Sequence, residues 1–185
     1  MFSTEYYYLV AGLREWALDS DTKGFDARQI KDEILAELSN SDRKAVEALY
    51  DYYDCENLIA YRSHRERFNP LGNLPQKQIA EVFDSRNYAL LPTAIAKVVK
   101  NYVEAEDEDR DEDIVLTDSF EHALFEAYYT MLAGSKSHFL RGWGAFDRNL
   151  RNIAAAVAAR EAGRAVRDVT VGGGDIVEQL SRSSA

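Results

Sequence analysis

Hydrophobic residues recur at intervals of three and four along most of this chain, the spacing of residues that share one face of an α-helix. The segment from Phe25 to Leu38 follows this period and opens with a capping box formed by Asp26 and Gln29. A longer helix is predicted from Asp42 to about Arg67, because Pro70 prevents continuation. Its apolar stripe consists of Val46, Leu49, Tyr50, Tyr53, Ala60 and Tyr61.

Four shorter helices are predicted in the rest of the chain. Proline suits the first helical position because it lacks an N–H group that a helix leaves unpaired there, and Pro75 and Pro92 each open a helix in this way. A further apolar stripe begins after Thr117. The last helix is predicted from a capping box formed by Asp175 and Glu178.

The most regular pattern lies between Phe139 and Val157. Large apolar residues there alternate at steps of four and three over about three heptads, as in helices that pack along one seam. We therefore expect a central helix, ending near Gly163, with this seam in the protein core. On that interpretation, Trp143→Ala leaves a cavity and costs roughly 3 to 5 kcal/mol. The seam consists of Phe139, Trp143, Phe146, Leu150, Ile153 and Val157.

These segments together predict an all-α fold, a multi-helix bundle in a single helical domain that spans residues 1–185. The run from Tyr6 to Leu13 departs from helical spacing. It is short, aromatic and β-branched, so we expect an extended segment lying against the core. No apolar run reaches the roughly 18 to 20 residues that a membrane helix requires, and no basic region precedes the N-terminal run. We expect a soluble protein that is not exported.

Charge is distributed unevenly along the chain. Acidic residues outnumber basic ones by 32 to 22, a formal charge of −10 that disfavours binding to nucleic acids or to anionic membranes. Eight acids and one arginine lie between Glu104 and Asp113, which predicts a solvated linker or helix end, with a docking tail for a basic partner as the alternative. By contrast, Lys136 to Asp168 contains seven basic and three acidic residues. Such asymmetry suits docking between charged proteins.

The sequence offers little for catalysis or for cofactor binding. Cys55 is the only cysteine, which excludes an internal disulfide and fits a reducing compartment. His122 lies four residues from Asp118 and from Glu126, but the paired Glu-x-x-His motifs of carboxylate-bridged metal sites are missing. Gly172–Gly174 lack the lysine and hydroxyl of a phosphate-binding loop. We assign no catalytic, cofactor-binding or metal-binding residue, and a small bundle enzyme that uses His122 stays an alternative hypothesis.

Two predicted helices share a pattern in which an asparagine precedes an arginine by eight residues. The pairs are Asn57 with Arg65 and Asn152 with Arg160, which also fits an internal duplication. A buried asparagine needs a hydrogen-bond partner, because an unpaired amide costs roughly 1–3 kcal/mol. Two interpretations stay open: these side chains contact a partner protein, or they form hydrogen bonds and salt bridges within the fold. With Trp143, these four are the candidates for structural or partner contacts.

Three phrases of the sequence together resemble a known family. They run from Tyr6 to Leu13, from Tyr53 to Leu58, and from Phe146 to Ile153, followed by Ala158-Ala159-Arg160. They resemble a bacterial family of unknown-function proteins encoded with V-type ATP synthases. That family is similar to a shortened form of the C/d-type central-stalk subunit of archaeal, bacterial and eukaryotic A/V-type ATPases. The shared feature is an Asp-x-x-Asn-Leu phrase on a helix, formed here by Asp54, Asn57 and Leu58.

The resemblance implies a non-catalytic central-stalk subunit without cofactors, an all-helical and funnel-like socket between the rotary shaft and the membrane rotor ring. Its partners are then the shaft and rotor-ring subunits, and its place is cytoplasmic, peripheral to the inner membrane. Two departures matter, since the chain ends soon after its last helix begins and its acidic block is unusually dense. A truncated family member is one interpretation. The alternative function is an acidic helical adaptor that binds proteins unrelated to the ATPase.

Overall fold

The computed structural model describes residues 6–15, 24–107, 116 and 118–182, and throughout these ranges the regular elements are helices without any strand. The prediction of an all-α, multi-helix fold is therefore confirmed. In chain order the α-helices are α1 (Tyr7–Gly12), α2 (Ala27–Glu37), α3 (Asn40–Arg62), α4 (Gln76–Asp84), α5 (Thr93–Glu104), α6 (Phe120–Ala133), α7 (His138–Glu161) and α8 (Asp175–Arg182). Short 3₁₀ helices lie at Tyr88–Leu90 and Val166–Asp168.

Most helices begin close to the start signals in the sequence. The Asp26 carboxylate accepts hydrogen bonds from two backbone N–H groups in the first turn of α2, donors that a helix start leaves free. Pro75 and Pro92 each stand one residue earlier than predicted, as the N-caps of α4 and α5. Asp175, predicted as a cap, is instead the first helical residue of α8. Serine side chains cap three other helices: Ser39 for α3, Ser119 for α6 and Ser137 for α7.

The ends of the two longest helices are set by residues with positive φ. The α3 helix ends at Arg62 rather than near Arg67, because His64 adopts a φ of 52° just beyond it. The end of α7 agrees with the prediction, since the helix stops at Glu161 and Gly163 follows with a φ of 66°. Glycine adopts this left-handed conformation without steric cost.

The hydrophobic core lies among α3, α4, α5 and α6, with the start of α7 closing one side. These helices turn their apolar stripes toward one another, and removing that surface from water is the main force that holds them together. Aromatic rings join the helices: Tyr52 of α3 contacts Phe125 and Tyr128 of α6 at centroid distances of 5.0 and 5.7 Å. The largest fully buried side chains include Leu58, Ile79, Val82, Ile95, Val99, Leu124, Tyr128 and Leu132.

The N-terminal run is helical, so the prediction of an extended segment against the core is wrong. Its residues form α1, in which no residue is buried. Strand propensity stabilises a strand only where a neighbouring strand is present, and the described residues contain none. The Tyr6 hydroxyl fastens this segment to the start of α3, because it donates to the Asp42 carboxylate at 2.6 Å and accepts from the Ser39 N–H at 3.0 Å.

The acidic block begins where α5 ends, and its positions 108–113 lie outside the described residues. Two of its described acids pair with arginines. Glu106 pairs with Arg62, and Asp107 accepts two hydrogen bonds from Arg86 at 2.6 and 2.9 Å. The Arg86 guanidinium lowers the pKa of Asp107. The start of the block therefore connects the end of α5 to the ends of α3 and α4.

Candidate docking surface

The two sides of α7 differ in side-chain size, and this difference decides which side enters the protein. Its buried positions are mostly small, among them Gly144, Ala156 and Ala159. Gly144 approaches α6 so closely that an added Cβ atom would lie 2.9 Å from the Leu132 Cβ. Small residues thus bring the backbone of α7 against its neighbours and fill the space without large side chains.

The seam faces away from the core, so its assignment to the core is wrong, whereas the cost of Trp143→Ala stays a prediction. All six seam residues are between 41% and 62% exposed. At 100° per residue they fall within about 40° of one line along α7, roughly opposite the buried positions. The period identifies an apolar helix face, but it does not say what that face contacts. The overlooked signal was the size of Gly144, Ala156 and Ala159, which allow the closer packing.

The seam forms a continuous apolar strip on the protein surface. Phe139 and Trp143 stack with an interplanar angle of 15° and centroids 6.4 Å apart, and Phe146 continues the row 6.0 Å from Trp143. Half-exposed side chains of this size leave on the order of 500 Å² of apolar surface in water, comparable to the largest patch of a typical monomer. Patches of this size often mark interaction sites. Small exposed residues on the same helix include Gly142, Ala145, Ala154 and Ala158.

A polar joint fixes the orientation of α7 about its own axis and so keeps the seam facing outward. The joint is formed by Tyr52, Tyr129, Asp147 and Arg151. One oxygen of Asp147 accepts hydrogen bonds from the Tyr129 hydroxyl of α6 at 2.8 Å and from Arg151 Nε at 2.9 Å. Arg151 Nη1 donates to the Tyr52 hydroxyl of α3 at 2.7 Å, and its guanidinium carbon lies 4.0 Å from the Tyr52 ring centroid. The joint therefore connects three helices, and its members support one another.

Burial keeps both phenols of this joint protonated. Burial raises the pKa of Tyr52 to about 12, although the positive charge of Arg151 acts in the opposite direction. Burial also raises the pKa of Tyr129, and its hydrogen bond to Asp147 adds to the shift. Both hydroxyl groups are therefore neutral throughout the physiological pH range.

Asn57 and Asn152 each hold a following segment of chain through both polar atoms of the amide. Asn57 Oδ1 accepts from the backbone N–H of Asn69 at 2.7 Å, and its Nδ2 donates to the Asn69 carbonyl at 3.0 Å. Asn152 makes the same two bonds to Val171, each 2.9 Å long. Each asparagine is only 3% exposed. Both candidate residues thus form hydrogen bonds within the fold, in matching geometry on two different helices.

A buried polar cluster anchors the loop 69–74 to α2 and α3. Lys31 Nζ donates to two backbone carbonyls of this loop at 2.8 and 3.0 Å. The Asp54 carboxylate accepts from two backbone N–H groups of the same loop at 3.0 and 3.1 Å. Gly72 passes so close that an added Cβ would lie 2.4 Å from Asp54 Oδ1. The Asp54-x-x-Asn57 phrase therefore acts from inside the protein, where both side chains position this loop.

Burial also changes the ionisation of this cluster. Burial lowers the pKa of Lys31, although the negative charge of Asp54 acts in the opposite direction. Burial raises the pKa of Asp54, although the two backbone hydrogen bonds act to lower it. Asp51 Oδ1 accepts from the Asn73 side chain at 2.8 Å, and burial raises the pKa of Asp51 to about 7. Asp51 is therefore largely protonated in the folded protein at mildly acidic pH.

The two candidate arginines have different surroundings. Arg160 Nη2 donates to the Leu180 carbonyl at 2.6 Å and so ties α8 to α7. Arg65 is exposed at the edge of a small cleft, and within the described ranges it forms no ion pair. Of the five candidates, therefore, Trp143 alone belongs to the seam, and the structure does not gather the five into one site.

His122 lies on α6, with its Nε2 3.7 Å from Glu126 Oε2. It lines a cleft of about 510 Å³ between α6 and α7 that also contains Tyr52, Tyr129 and Arg151. Across the part of the chain that the structure describes, no three histidine, cysteine or acidic side chains are grouped to hold a metal ion. The cleft is thus bordered by the polar joint that positions α7.

Sequence reasoning missed the residues that orient α7. Asp147 and Arg151 carried a usable signal, because opposite charges four residues apart lie on the same helix face. Their contacts with Tyr52 and Tyr129 join residues 99 and 18 positions apart, and no local pattern predicts such pairs.

Comparison with known proteins assigns the chain to a family but to no function. Residues 3–185 match the profile of a family described as Protein of unknown function (DUF2764). No curated protein and no solved structure matches the chain. Among the helices in the described ranges, none combines the length and apolar character needed to cross a membrane.

Proposed function

This chain belongs to the family described as Protein of unknown function (DUF2764), and we propose that it is a non-catalytic subunit of a bacterial V/A-type ATPase. In this role it sits in the central stalk and couples the rotary shaft to the membrane rotor ring. Its place is on the cytoplasmic side of the inner membrane, where it is held through the complex. The subunit contributes its shape and a docking surface, and it catalyses no reaction.

The exposed seam of α7 is the observation that carries this proposal. A protein that leaves six large apolar side chains in one row gains little from them in isolation, because the hydrophobic effect stabilises only surface that is removed from water. The same six residues become a stabilising contact once another protein covers them. A docking subunit therefore accounts for a feature that is unfavourable in a free-standing domain.

The connections behind the seam support a role in transmitting force. The polar joint fastens α7 to α3 and α6, and Gly144 lets the α7 backbone pack against Leu132. Asn152 ties the segment after α7 back onto the same helix. A load applied to the seam therefore passes into several helices, and close-packed interiors deform little under such a load.

The sequence phrases support the identity of the partner. Asp54, Asn57 and Leu58 form the Asp-x-x-Asn-Leu phrase that resembles the C/d-type central-stalk subunit of A/V-type ATPases, and here the phrase anchors the loop 69–74. The phrase thus positions this loop within the fold. The ATPase proposal combines this resemblance with the presence of a docking surface on α7.

The test is co-purification from the native host. We would tag the full chain, solubilise the membranes in mild detergent and quantify the shaft and rotor-ring subunits of the ATPase by mass spectrometry. The double variant Leu150→Ser/Ile153→Ser removes two seam residues, and Lys77→Ser, at an exposed position of α4, is the control. We expect the natural chain and the control to recover the ATPase subunits, and the double variant to recover about tenfold less.

Three outcomes separate the alternatives. If the natural chain recovers no ATPase subunit and instead recovers unrelated proteins, the acidic helical adaptor is the better account. If the seam variant recovers as much ATPase as the control, the seam is not the contact and the proposed function loses the observation that carries it. Loss of recovery by the Lys77→Ser control would indicate that the protein has been disturbed generally, so circular dichroism of each variant accompanies the assay.

A further inference from the structure

We propose that the loop 69–74 is a proton-controlled latch, which is closed over Asp51 while this carboxyl group carries a proton and opens more readily when the group ionises. In the open state Asn73 leaves Asp51, and water reaches the carboxylate. The inference goes beyond the proposed function, because it concerns the connection between α3 and α4 and makes no use of the seam. It is supported by the hydrogen bonds that close the loop, by the charges around Asp51 and by a cleft beside it.

Asn73 is the residue through which the loop is closed. Its Nδ2 donates to Asp51 Oδ1 and to the backbone carbonyl of Glu47, each at 2.8 Å. Its Oδ1 accepts from Lys31 Nζ at 3.0 Å, and its backbone N–H donates to Asp54 Oδ2, also at 3.0 Å. Both donor positions of the amide are therefore used, and one residue connects the loop to α2 and α3. Because these bonds share Asn73, we expect them to be made and lost together.

The charges around Asp51 compensate its ionised form poorly. Lys31 attracts a negative charge there, but its ammonium group donates to three uncharged oxygens of the loop. Glu47 and Asp54 act in the opposite direction, so ionisation adds a third negative charge to the cluster. Asp51 is 8% exposed, and an incompletely paired charge is unfavourable at such a site. The other titratable side chains around it are the exposed Lys44 and two groups that burial keeps neutral, Cys55 and Tyr128.

Closed and open loops therefore bind the proton of Asp51 with different strength. Burial raises the pKa of Asp51 to about 7 in the closed loop, whereas a hydrated aspartate ionises near pH ~4. The closed loop thus holds a proton that the open loop releases over the range between these values. A rise in pH within that range favours opening, by up to about tenfold per pH unit, and the effect levels off above pH ~7.

A cleft beside the loop gives water a path to Asp51 once Asn73 moves. The cleft has a volume of about 640 Å³, and Asp51, Asp54, Asn73 and Leu74 are among the residues that line it. On the other side, Gly72 brings the loop backbone close to α3, since an added Cβ atom would lie 2.4 Å from Asp54 Oδ1. The closed loop thus fits tightly against α3, with space for water directly beside the carboxyl group.

Amide hydrogen exchange of the full chain, resolved by NMR, measures the opening. Asn73 and Leu74 are the reporters, because their N–H groups donate to the Asp54 carboxylate in the closed loop. Dividing each rate by the intrinsic rate at the same pH gives a protection factor. We expect both protection factors to fall about hundredfold between pH ~4 and ~7. At each pH they should be at least about tenfold lower than that of Leu124, which is fully buried in α6.

Urea separates opening of the loop from unfolding of the whole protein. Opening of a short loop exposes little surface, so exchange at Asn73 and Leu74 should change little below roughly 1 M urea. Exchange at Leu124 requires much larger unfolding and should accelerate more steeply with urea.

Two variants assign the pH dependence to Asp51. Asp51→Asn is close in shape to the protonated residue and still offers Asn73 an oxygen acceptor, but it cannot ionise. In this variant, protection at Asn73 and Leu74 should change by less than about threefold over the same pH range. The control is Glu37→Gln, which removes an exposed carboxyl group of α2 and should keep the full effect.

Three results would overturn the inference. The first is protection at Asn73 and Leu74 that does not vary with pH. The second is an equal pH dependence in Asp51→Asn, which would assign the proton to another group, such as Asp54. The third is protection and urea dependence equal to those of Leu124, which would mean that the loop opens only when the whole protein unfolds. None of these measurements involves the ATPase, so the proposed function is tested separately.

Discussion

The two sides of α7 follow the same helical period, but one is exposed and the other is buried. The side with large side chains, from Phe139 to Val157, lies in solvent, while the side with Gly144, Ala156 and Ala159 is buried. Large apolar side chains are normally expected on the buried side of a helix, because they gain the most free energy from leaving water. The difference shows that helix packing here is achieved through close backbone approach, which leaves the large apolar side chains of α7 about half exposed.

The largest effect is expected from a larger side chain on the buried side of α7. We expect Gly144→Val to lower the free energy of unfolding by about 3 to 5 kcal/mol, because even a Cβ at this position would lie 2.9 Å from the Leu132 Cβ. Chemical denaturation followed by circular dichroism measures the change.

Gly142 provides a matched control for this variant. It lies in the same helix two residues earlier, and nothing stands within 4 Å of an added Cβ. Valine and glycine differ little in helix propensity, so Gly142→Val should change the free energy of unfolding by no more than about 0.5 kcal/mol. Equal destabilisation by both valines would mean that a general effect of valine in α7, and not contact with α6, explains the loss.

The next variant removes a polar group from the buried side. Asn152→Leu leaves the N–H and the carbonyl of Val171 without the bonds that the amide now makes. Each unpaired buried group costs roughly 1–3 kcal/mol, partly offset by the apolar leucine, so we expect a loss of about 3 kcal/mol. Hydrogen exchange at the Val171 amide should accelerate more than exchange in α3. The partly exposed Asn149 is the control, and Asn149→Leu should change stability by less than about 0.5 kcal/mol.

Buried polar groups on α3 lead to a prediction about how stability depends on pH. Burial raises the pKa of Asp51 to about 7, so its contribution to stability is complete below pH ~4 and is lost as pH rises through ~7. Asp51→Asn keeps the acceptor for Asn73 but cannot ionise. Relative to the natural chain, we expect the free energy of unfolding of this variant to gain about 3 kcal/mol between pH ~4 and ~7 in urea titrations. A constant difference over that range would show that Asp51 does not titrate there.

Local signals predicted the helices, and contacts distant in sequence decided how they pack. Asp26 and Gly163 lie within a few residues of the helix ends that they mark, so the sequence contains that information. The period of α7 was also correct. Its orientation depends on the fit of Gly144 against Leu132 and on the bond from Arg151 to Tyr52, and both partners become neighbours only in the folded chain. The N-terminal run was misjudged for a related reason, because strand propensity was counted without a neighbouring strand.

The smallest expected effect is also the most direct check on the seam. Trp143→Ala removes a large side chain that is 41% exposed, so it should lower the free energy of unfolding by about 2 kcal/mol, below the roughly 3 to 5 kcal/mol expected for a core residue. Part of that loss comes from its ring contacts with Phe139 and Phe146. Recovery of ATPase subunits in the co-purification should fall by about tenfold, because interface tryptophans contribute strongly once covered. A loss of stability as large as that of Gly144→Val, together with unchanged recovery of ATPase subunits, would show that Trp143 supports the fold and that the seam is not a docking surface.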